Sequence, residues 1–306
     1  MIVCCGEALI DMLPRKLTSG EDVFLPVPGG AIFNTAIALG RLGEDVGFIS
    51  GISTDMFGTQ LVEALNASHV SESYCIRNDQ PTTLAFVKLT DGNAKYSFFD
   101  EQSAGRNISQ QDLPTISADV EALHFGAISL IPEPCGSTYE TLLLKQAPSH
   151  VISLDPNIRI SFIKDAEKHR ARIKRMAEAS DIIKVSDEDL AWIAETSNER
   201  SQIDQWLSVS ASIVIITRGG DGADVYTKNY HFNSPAIKTT IVDTVGAGDT
   251  FNAGLLSGLK RENLLRKDKL VSIGQDDLEK AVHLANRVAS ITVSRAGANP
   301  PWKHEL

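Results

Sequence analysis

Two hydrophobic periods alternate along this chain. Short apolar or β-branched runs occur at 2–5 (IVCC), 46–50 (VGFIS), 122–126 (ALHFG), 150–155 (HVISLD), 181–185 (DIIKV) and 212–217 (SIVIIT). Each is long enough for a strand and too short for a helix. Between several of them, apolar residues recur every three or four positions. The clearest set is Leu278, Ala281, Val282, Ala285, Val288, Ala289 and Thr292, which share one helix face. Strands that are apolar throughout and separated by helices predict a mainly parallel sheet covered on both faces.

Two regions break this rhythm. Residues about 12–27 contain EDVFLPVPGG, and residues about 73–100 contain TTLAFVKLTDGNAKYSFFD. In the second, Asp91-Gly92-Asn93 separates two strand-like runs and predicts a β-hairpin. Such inserts could form a small sheet over the C-terminal edge of the main one, where open α/β sheets bind ligands. With 306 residues, no linker and no repeat, one domain spanning 1–306 with a lid is the expected organisation.

Composition narrows the function classes. The chain is 42% hydrophobic and 22% charged with a formal net charge of -10, so nucleic acid and anionic membrane find no electrostatic attraction. The densest basic run, KHRARIKR (168–175), reads as the solvated face of a helix. No segment is long and apolar enough to span a membrane. Cys4, Cys5, Cys75 and Cys135 form neither a disulfide framework nor a CxxC pair, and seven scattered histidines show no metal spacing. The apolar start MIVCCGEALIDM lacks a basic lead and carries Glu7 and Asp11, reading as a first strand rather than a signal peptide. A cytoplasmic location is therefore expected, and the terminal KHEL reads as coincidence.

The chemistry concentrates in glycine-rich turns. In DTVGAGDTFNAGLL (243–256), a turn runs into an apolar helical pattern. Small residues at Gly246, Ala247 and Gly248 let successive backbone N–H groups point at one anion at a helix N-terminus. Asp249 then sits beside that anion hole, placed to take a hydroxyl proton. A glycine turn with an aspartate N-cap would look similar, so context decides. GGAIFNTAIALGRLG (29–43) places Gly29-Gly30 before a second helix, with the amide of Asn34 in its first turn. TRGGDGADVY (217–226) is neither a Walker A loop nor a dinucleotide fingerprint, because a strand-like run follows where a helix should start.

Together, GGAIFNTAIALGRLG and DTVGAGDTFNAG resemble the two signatures of the PfkB, or ribokinase-like, carbohydrate kinases, and the resemblance extends over the whole chain. GEALIDMLP, FGAISLIPEP and DPNIR are most similar to bacterial fructokinases within that family. The resemblance implies a ribokinase-like three-layer α/β/α fold with a small β lid, ATP and Mg²⁺ as cofactors, and a homodimer formed through the lid. It implies Asp249 as catalytic base, with Gly246, Ala247 and Gly248 as anion hole. Asp11, Gly29, Gly30 and Asn34 would bind sugar hydroxyls. Lys184, Ser186, Thr217, Gly219, Gly222 and Asn286 would serve the nucleotide. Arg159 reads equally as a phosphate clamp or a surface ion pair.

The match has departures. Where the family often carries N-x-x-E for hydrated Mg²⁺, this chain has SDED, with Ser186 and the shorter Asp189; Glu188 is the substitute. Asp243, Val245, Thr292, Arg295 and Gly297 match a monovalent-cation (K⁺) site, although Pro301 stands where Ser is common. The lid sequence FFDEQSAGRN departs from the commoner ending and leaves the sugar open. ATP-dependent conversion of D-fructose to fructose 6-phosphate is the leading expectation. A 2-keto-3-deoxygluconate kinase, using Arg106 for the substrate carboxylate, is the nearest rival. A non-catalytic sugar-binding regulator is the rival from another class.

Overall fold

The computed structural model describes residues 1–90, 93–195 and 198–306. Its strands are β1 (Ile2–Cys5), β2 (Leu9–Lys16), β3 (Asp22–Gly29), β4 (Val46–Ile49), β5 (Gly51–Ser53), β6 (Val70–Ser71), β7 (Ile76–Asn78), β8 (Leu84–Thr90), β9 (Asn93–Phe99), β10 (Ala122–Gly126), β11 (Val151–Asp155), β12 (Ile182–Ser186), β13 (Ile213–Thr217), β14 (Ala223–Tyr226) and β15 (His231–Ser234). The helices are α1 (Ala31–Arg41), α2 (Met56–Ala67), α3 (Cys135–Gln146), α4 (Ala166–Ala177), α5 (Asp187–Ala194), α6 (Glu199–Val209), α7 (Ala247–Arg261), α8 (Lys267–Leu270) and α9 (Gln275–Val293).

The large sheet runs β15-β14-β13-β12-β11-β10-β1-β4-β6 and is parallel except at β14 and β15. All six strand-like runs read from the sequence lie in it. Their uninterrupted apolar character follows from burial on both sides. Ile2 and Cys4 of β1 face α1, α7 and α9, whereas Val3 and Cys5 face α3, α4 and α6. This is the three-layer α/β/α arrangement. Because β1 lies between β10 and β4, chain direction across the sheet reverses there, and a crevice opens at the strands' C-terminal ends.

Over that edge lies a separate four-stranded sheet, β3-β2-β8-β9. β8 and β9 pair antiparallel, as the hairpin signal required; the turn residues Asp91 and Gly92 lie outside the described residues. Pairing in the first insert begins at Leu9, ahead of the expected start near 12. Of the second, residues 76–78 pair instead with β5, so the hairpin proper occupies 84–99.

Helix α7 packs on α9 at backbone distance. A Cβ added to Gly254 or Gly258 would stand 2.6 or 2.7 Å from the Cα of Ala285 or Ala281. The helix face expected from the sequence is this contact: Leu278, Ala281, Val282, Ala285 and Val288 are buried in the core.

The basic run at 168–175 is not wholly solvated. Arg172 is buried, bonded to the Leu130 carbonyl at 2.7 Å and paired with Glu140 at 3.2 Å and with Glu133. Its charge is neutralised inside the fold, which a count of basic residues along the chain could not show. The C-terminus is tied down as well: Arg295 pairs with Glu305, and Arg41 stacks on Trp302.

Candidate active site

Helix α1 begins at Gly30, which adopts φ 108°. A Cβ there would stand 2.9 Å from the Glu7 carbonyl oxygen, so the turn requires glycine. Gly29 is needed for a different reason: a Cβ on it would reach within 2.3 Å of Asp11 Oδ2. The glycine pair therefore makes room for a carboxylate. From the first turn of α1, Asn34 Nδ2 donates to Asp249 Oδ2 at 2.9 Å, and Thr35 Oγ1 donates to the Asp249 carbonyl at 3.0 Å. Two motifs 215 residues apart are thus joined by side chains.

Helix α7 starts at Gly246 with φ 79°, tucked against Ala298, and no side chain caps it. Its first-turn N–H groups, from Ala247 onward, are the ones a helix leaves without intrahelical partners. Negative charge is favoured there. Burial raises the Asp249 pKa to about 6, with the Asp155 charge adding to the rise and the Asn34 bond, Lys184 and Arg159 opposing it. Burial and the neighbouring Asp249 charge likewise raise Asp11 to about 6. At neutral pH both are mainly ionised, yet basic enough to receive a proton.

One cavity of about 360 Å³ collects Asp11, Asn34, Arg159, Lys184, Gly248 and Asp249. Lys184 Nζ donates to Asp155 Oδ2 at 2.9 Å in a buried pair. Although burial works against its charge, the carboxylates of Asp155, Asp189 and Asp249 hold its pKa above the ordinary value. Its Nζ would be 2.9 Å from a Cβ on Gly248, so the ammonium lies against the first turn of α7. Arg159 projects into the same cavity with an exposed head, its Nη1 bonded to the Ile158 carbonyl. No salt bridge holds Arg159 among the described residues.

The remaining residues lie further along the sheet edge. Thr217 ends β13, and Gly219 and Gly222, both at positive φ, turn the chain into β14. Asn286, on α9, donates to Ser234 Oγ at 2.9 Å and to the Pro235 carbonyl at 3.3 Å. Ser186 and Asp189 form a capping box on α5, and the Asp189 carboxylate also accepts from Ile158 N at 2.9 Å. Glu188 is exposed. Asp243 accepts from Val245 N at 3.0 Å and Gly297 N at 2.9 Å, drawing that loop against the end of α9. There the carbonyls of Thr292 and Gly297 accept from Arg295 N and Asn299 N.

Arg106 lies elsewhere. It lines an adjoining cavity of about 470 Å³ that shares Phe98, Ser161 and Phe162 with the first. It pairs with Asp100 at 3.2 Å and donates to the Glu133 carbonyl.

Sequence reading missed Asp155, Asn252 and Glu7. Asp155 ends β11 in DPNIR and accepts from both Lys184 and Asn252 Nδ2, the latter at 2.7 Å. Its Oδ1 is buried with no hydrogen-bond partner. An aspartate closing an apolar strand at the sheet's C-terminal edge was the available signal. Glu7 is visible in sequence only as a charge interrupting an apolar start.

A buried carboxylate beside an uncapped helix N-terminus, with a lysine against it and a second carboxylate facing the same cavity, defines a phosphoryl-transfer site for a hydroxylated acceptor. This chain belongs to the pfkB family of carbohydrate kinases, whose description matches residues 1–305. It is 56% identical over 278 residues to a fructokinase of Rhizobium leguminosarum bv. trifolii, covering 91% of this chain and 85% of that protein. It is 33% identical to the probable chloroplastic fructokinase-6 of Arabidopsis thaliana, over 98% of this chain and 79% of the relative. The crystal structure of a Xylella fastidiosa fructokinase with bound ATP superposes with a TM-score of 0.90 at 27% identity, covering 97% of this chain and 93% of that one. The aminoimidazole riboside kinase of Salmonella enterica follows at 0.83 and 26%, over 97% and 94%. These neighbours share the ribokinase-like fold.

Proposed function

We propose that this kinase transfers the γ-phosphoryl group of ATP to D-fructose, giving fructose 6-phosphate and ADP. The observation that carries the reading is the buried Asp249 carboxylate, oriented by Asn34 and raised to about 6. The 56% identity to a bacterial fructokinase supports fructose as the acceptor. Asp11 and Asn34 offer an acceptor and an amide to adjacent sugar hydroxyls. Asp249 takes the proton of the primary hydroxyl as its oxygen attacks the γ-phosphorus. The bond to the bridging oxygen breaks, leaving ADP. The N–H groups of the Gly246–Gly248 turn, Lys184 and Arg159 stabilise the charge on the transferred group.

Mg²⁺ fits beside this site, because Asp155 Oδ1 is buried without a partner and Asp189 lies close to it. A phosphate-bound Mg²⁺ keeps several waters and needs only one or two carboxylates. Asp155 and Asp189 would hold its hydration shell, with the exposed Glu188 less suited. When bound, the ion neutralises charge on the β- and γ-phosphates. The loop of Asp243, Val245, Thr292, Arg295 and Gly297 would hold K⁺ mainly through carbonyl oxygens. Thr217, Gly219, Gly222 and Asn286 would border the nucleotide.

The small sheet would act as a lid over the sugar within a single 1–306 domain, excluding water that competes for the phosphoryl group. Asp11 and Phe98 line the cavity, and register puts both on one face of this sheet. The opposite face carries the edge-to-face cluster Phe24–Phe86–Phe99, with Phe24 49% and Phe99 62% exposed. A second copy covering that face gives the homodimer, which light scattering on wild type and Phe99→Glu tests.

The keto-acid rival loses support because Arg106 lines the adjoining cavity, paired with Asp100, and not the one that holds Asp11 and Asp249. The test is ADP release over fructose, ribose, glucose, adenosine and 2-keto-3-deoxygluconate. Fructose should give the highest kcat/KM, and preference for another acceptor would overturn the assignment.

A further inference from the structure

Helix α1 carries Asn34, yet it has no cap of its own: Gly30 supplies no side chain, and its first turn holds no acidic residue. The missing acceptor comes from 24 residues earlier. Glu7, in the link between β1 and β2, is 8% exposed, and its Oε1 accepts from Ala31 N at 2.8 Å and Ile32 N at 3.4 Å. The other oxygen, Oε2, accepts from Ser129 N at 3.3 Å. One carboxylate therefore joins the start of α1 to the turn after β10.

That turn is under strain. Ala127 adopts φ 60° and ψ −153°, a region almost confined to glycine. Such a conformation persists only where its surroundings hold it. Three bonds do so: Ala127 N to the Asp155 carbonyl at 3.1 Å, Ser129 Oγ to the Gly126 carbonyl at 2.8 Å, and Ser129 N to Glu7. Ala127 and Ile128 form one wall of the cavity that holds Asp11 and Asp249; Gly30, Ala31 and Asn34 form another. Gly30 cannot carry a capping side chain, so any cap on α1 must come from a distant residue. Glu7 reaches both walls, whereas a cap alone would reach one.

We propose that Glu7 is a positioning residue for the acceptor sugar: its carboxylate fixes the spacing between the Asn34 helix and the strained Ala127–Ser129 turn, and thereby sets sugar affinity. This rests on the kinase reading above. Glu7 makes no salt bridge among the described residues, so its carboxylate is held by backbone N–H groups alone. Burial nevertheless raises its pKa to about 7. A buried acid with no cationic partner is a costly cap, which accords with a role beyond stability.

The test uses Glu7→Gln in the full chain. The amide keeps an oxygen for Ala31 N but turns an N–H₂ group toward Ser129 N, breaking the clamp on one side. The KM for sugar should rise about tenfold, as expected for a lost bond to a charged acceptor. The kcat should stay within about threefold, and binding of a non-hydrolysable ATP analogue without sugar should not change. A purely structural cap predicts the opposite: lower thermal stability with an unaltered sugar KM. An unchanged KM, or equal losses for sugar and analogue, overturns the proposal. If wild type prefers another sugar of the panel, the comparison is made with that sugar, and only the fructose assignment fails. If wild type binds no sugar, the kinase reading and this inference fall together. Where Glu7→Gln gives no folded protein, Ser129→Ala loosens the same turn from its other side and should raise KM in the same direction.

Discussion

Replacing Asp249 by Asn should uncouple activity from stability in opposite directions. The amide preserves shape and, by rotating, can still present an oxygen to Asn34 Nδ2, now 2.9 Å from the carboxylate. What it cannot do is accept the hydroxyl proton, and a positioned base is worth roughly 10²–10⁴ in rate. Stability should move the other way. Burial raises the Asp249 pKa from 3.8 to about 6, so the fold disfavours the ionised form relative to the unfolded chain. That penalty is absent below the unfolded pKa and fully present above the folded one. At about 1.4 kcal/mol per pH unit, it amounts to on the order of 2–3 kcal/mol at pH 8. For a chain of this length, removing it raises Tm by about 3–5 °C. Calorimetry at pH 8 and pH 4, with ADP-release kinetics, measures both effects. The Tm gain should shrink at pH 4, where the wild-type carboxyl is protonated in the fold. Turnover near wild type, or a Tm that falls at pH 8, would refute the reasoning.

Gly29→Ala would drive a methyl into Asp11 Oδ2, 2.3 Å from the added carbon, so sugar KM should rise roughly tenfold. Binding of an ATP analogue should not follow; a parallel loss would mean that the change is global. For the pH profile, Asp11 and Asp249, raised to about 6, and Glu7, raised to about 7, must all be charged. The kcat/KM for sugar should fall as pH drops from 7 toward 5, with a logarithmic slope above one. A slope of one or less would mean that a single group governs the limb. Arg106→Ala should leave kcat/KM for fructose within about threefold, because Asp100 and the Glu133 carbonyl hold that guanidinium in the neighbouring cavity. A collapse in activity would return the arginine to the substrate.

Much of this was legible in the residues because local rules and global fold agree. Runs such as 213–217 are apolar throughout because both faces of the sheet are covered, and α9 shows its buried stripe at helical spacing. Gly246 and Gly30 announce themselves, since only glycine takes those backbone angles cheaply. The partnership of Asn34 with Asp249 spans 215 residues, and no local pattern encodes it. Glu7 was opaque for a related reason. Its function depends on Ala31 and Ser129, which approach it only after β1 is seated between β10 and β4. Arg172 was misread because exposure was inferred from charge, whereas Glu140 and the Leu130 carbonyl bury it. Arg106 was close in sequence to the second insert, yet it lines the adjoining cavity and not the one that holds Asp249.

The glycine–alanine seam between α7 and α9 has a mechanical consequence. With Gly254 and Gly258 against Ala285 and Ala281, the two helices meet backbone to backbone at these points, which resists sliding. Asp249 at one end of α7 and Asn286 on α9 therefore belong to a single stiff block, like two marks on one ruler. On the proposed roles, the separation of base and nucleotide flank should stay constant through the reaction cycle. Any closing movement would then fall to the small sheet. Approach would then be one-sided, with the acceptor carried to a stationary Asp249, and structures with and without ligands should superpose on this helix pair.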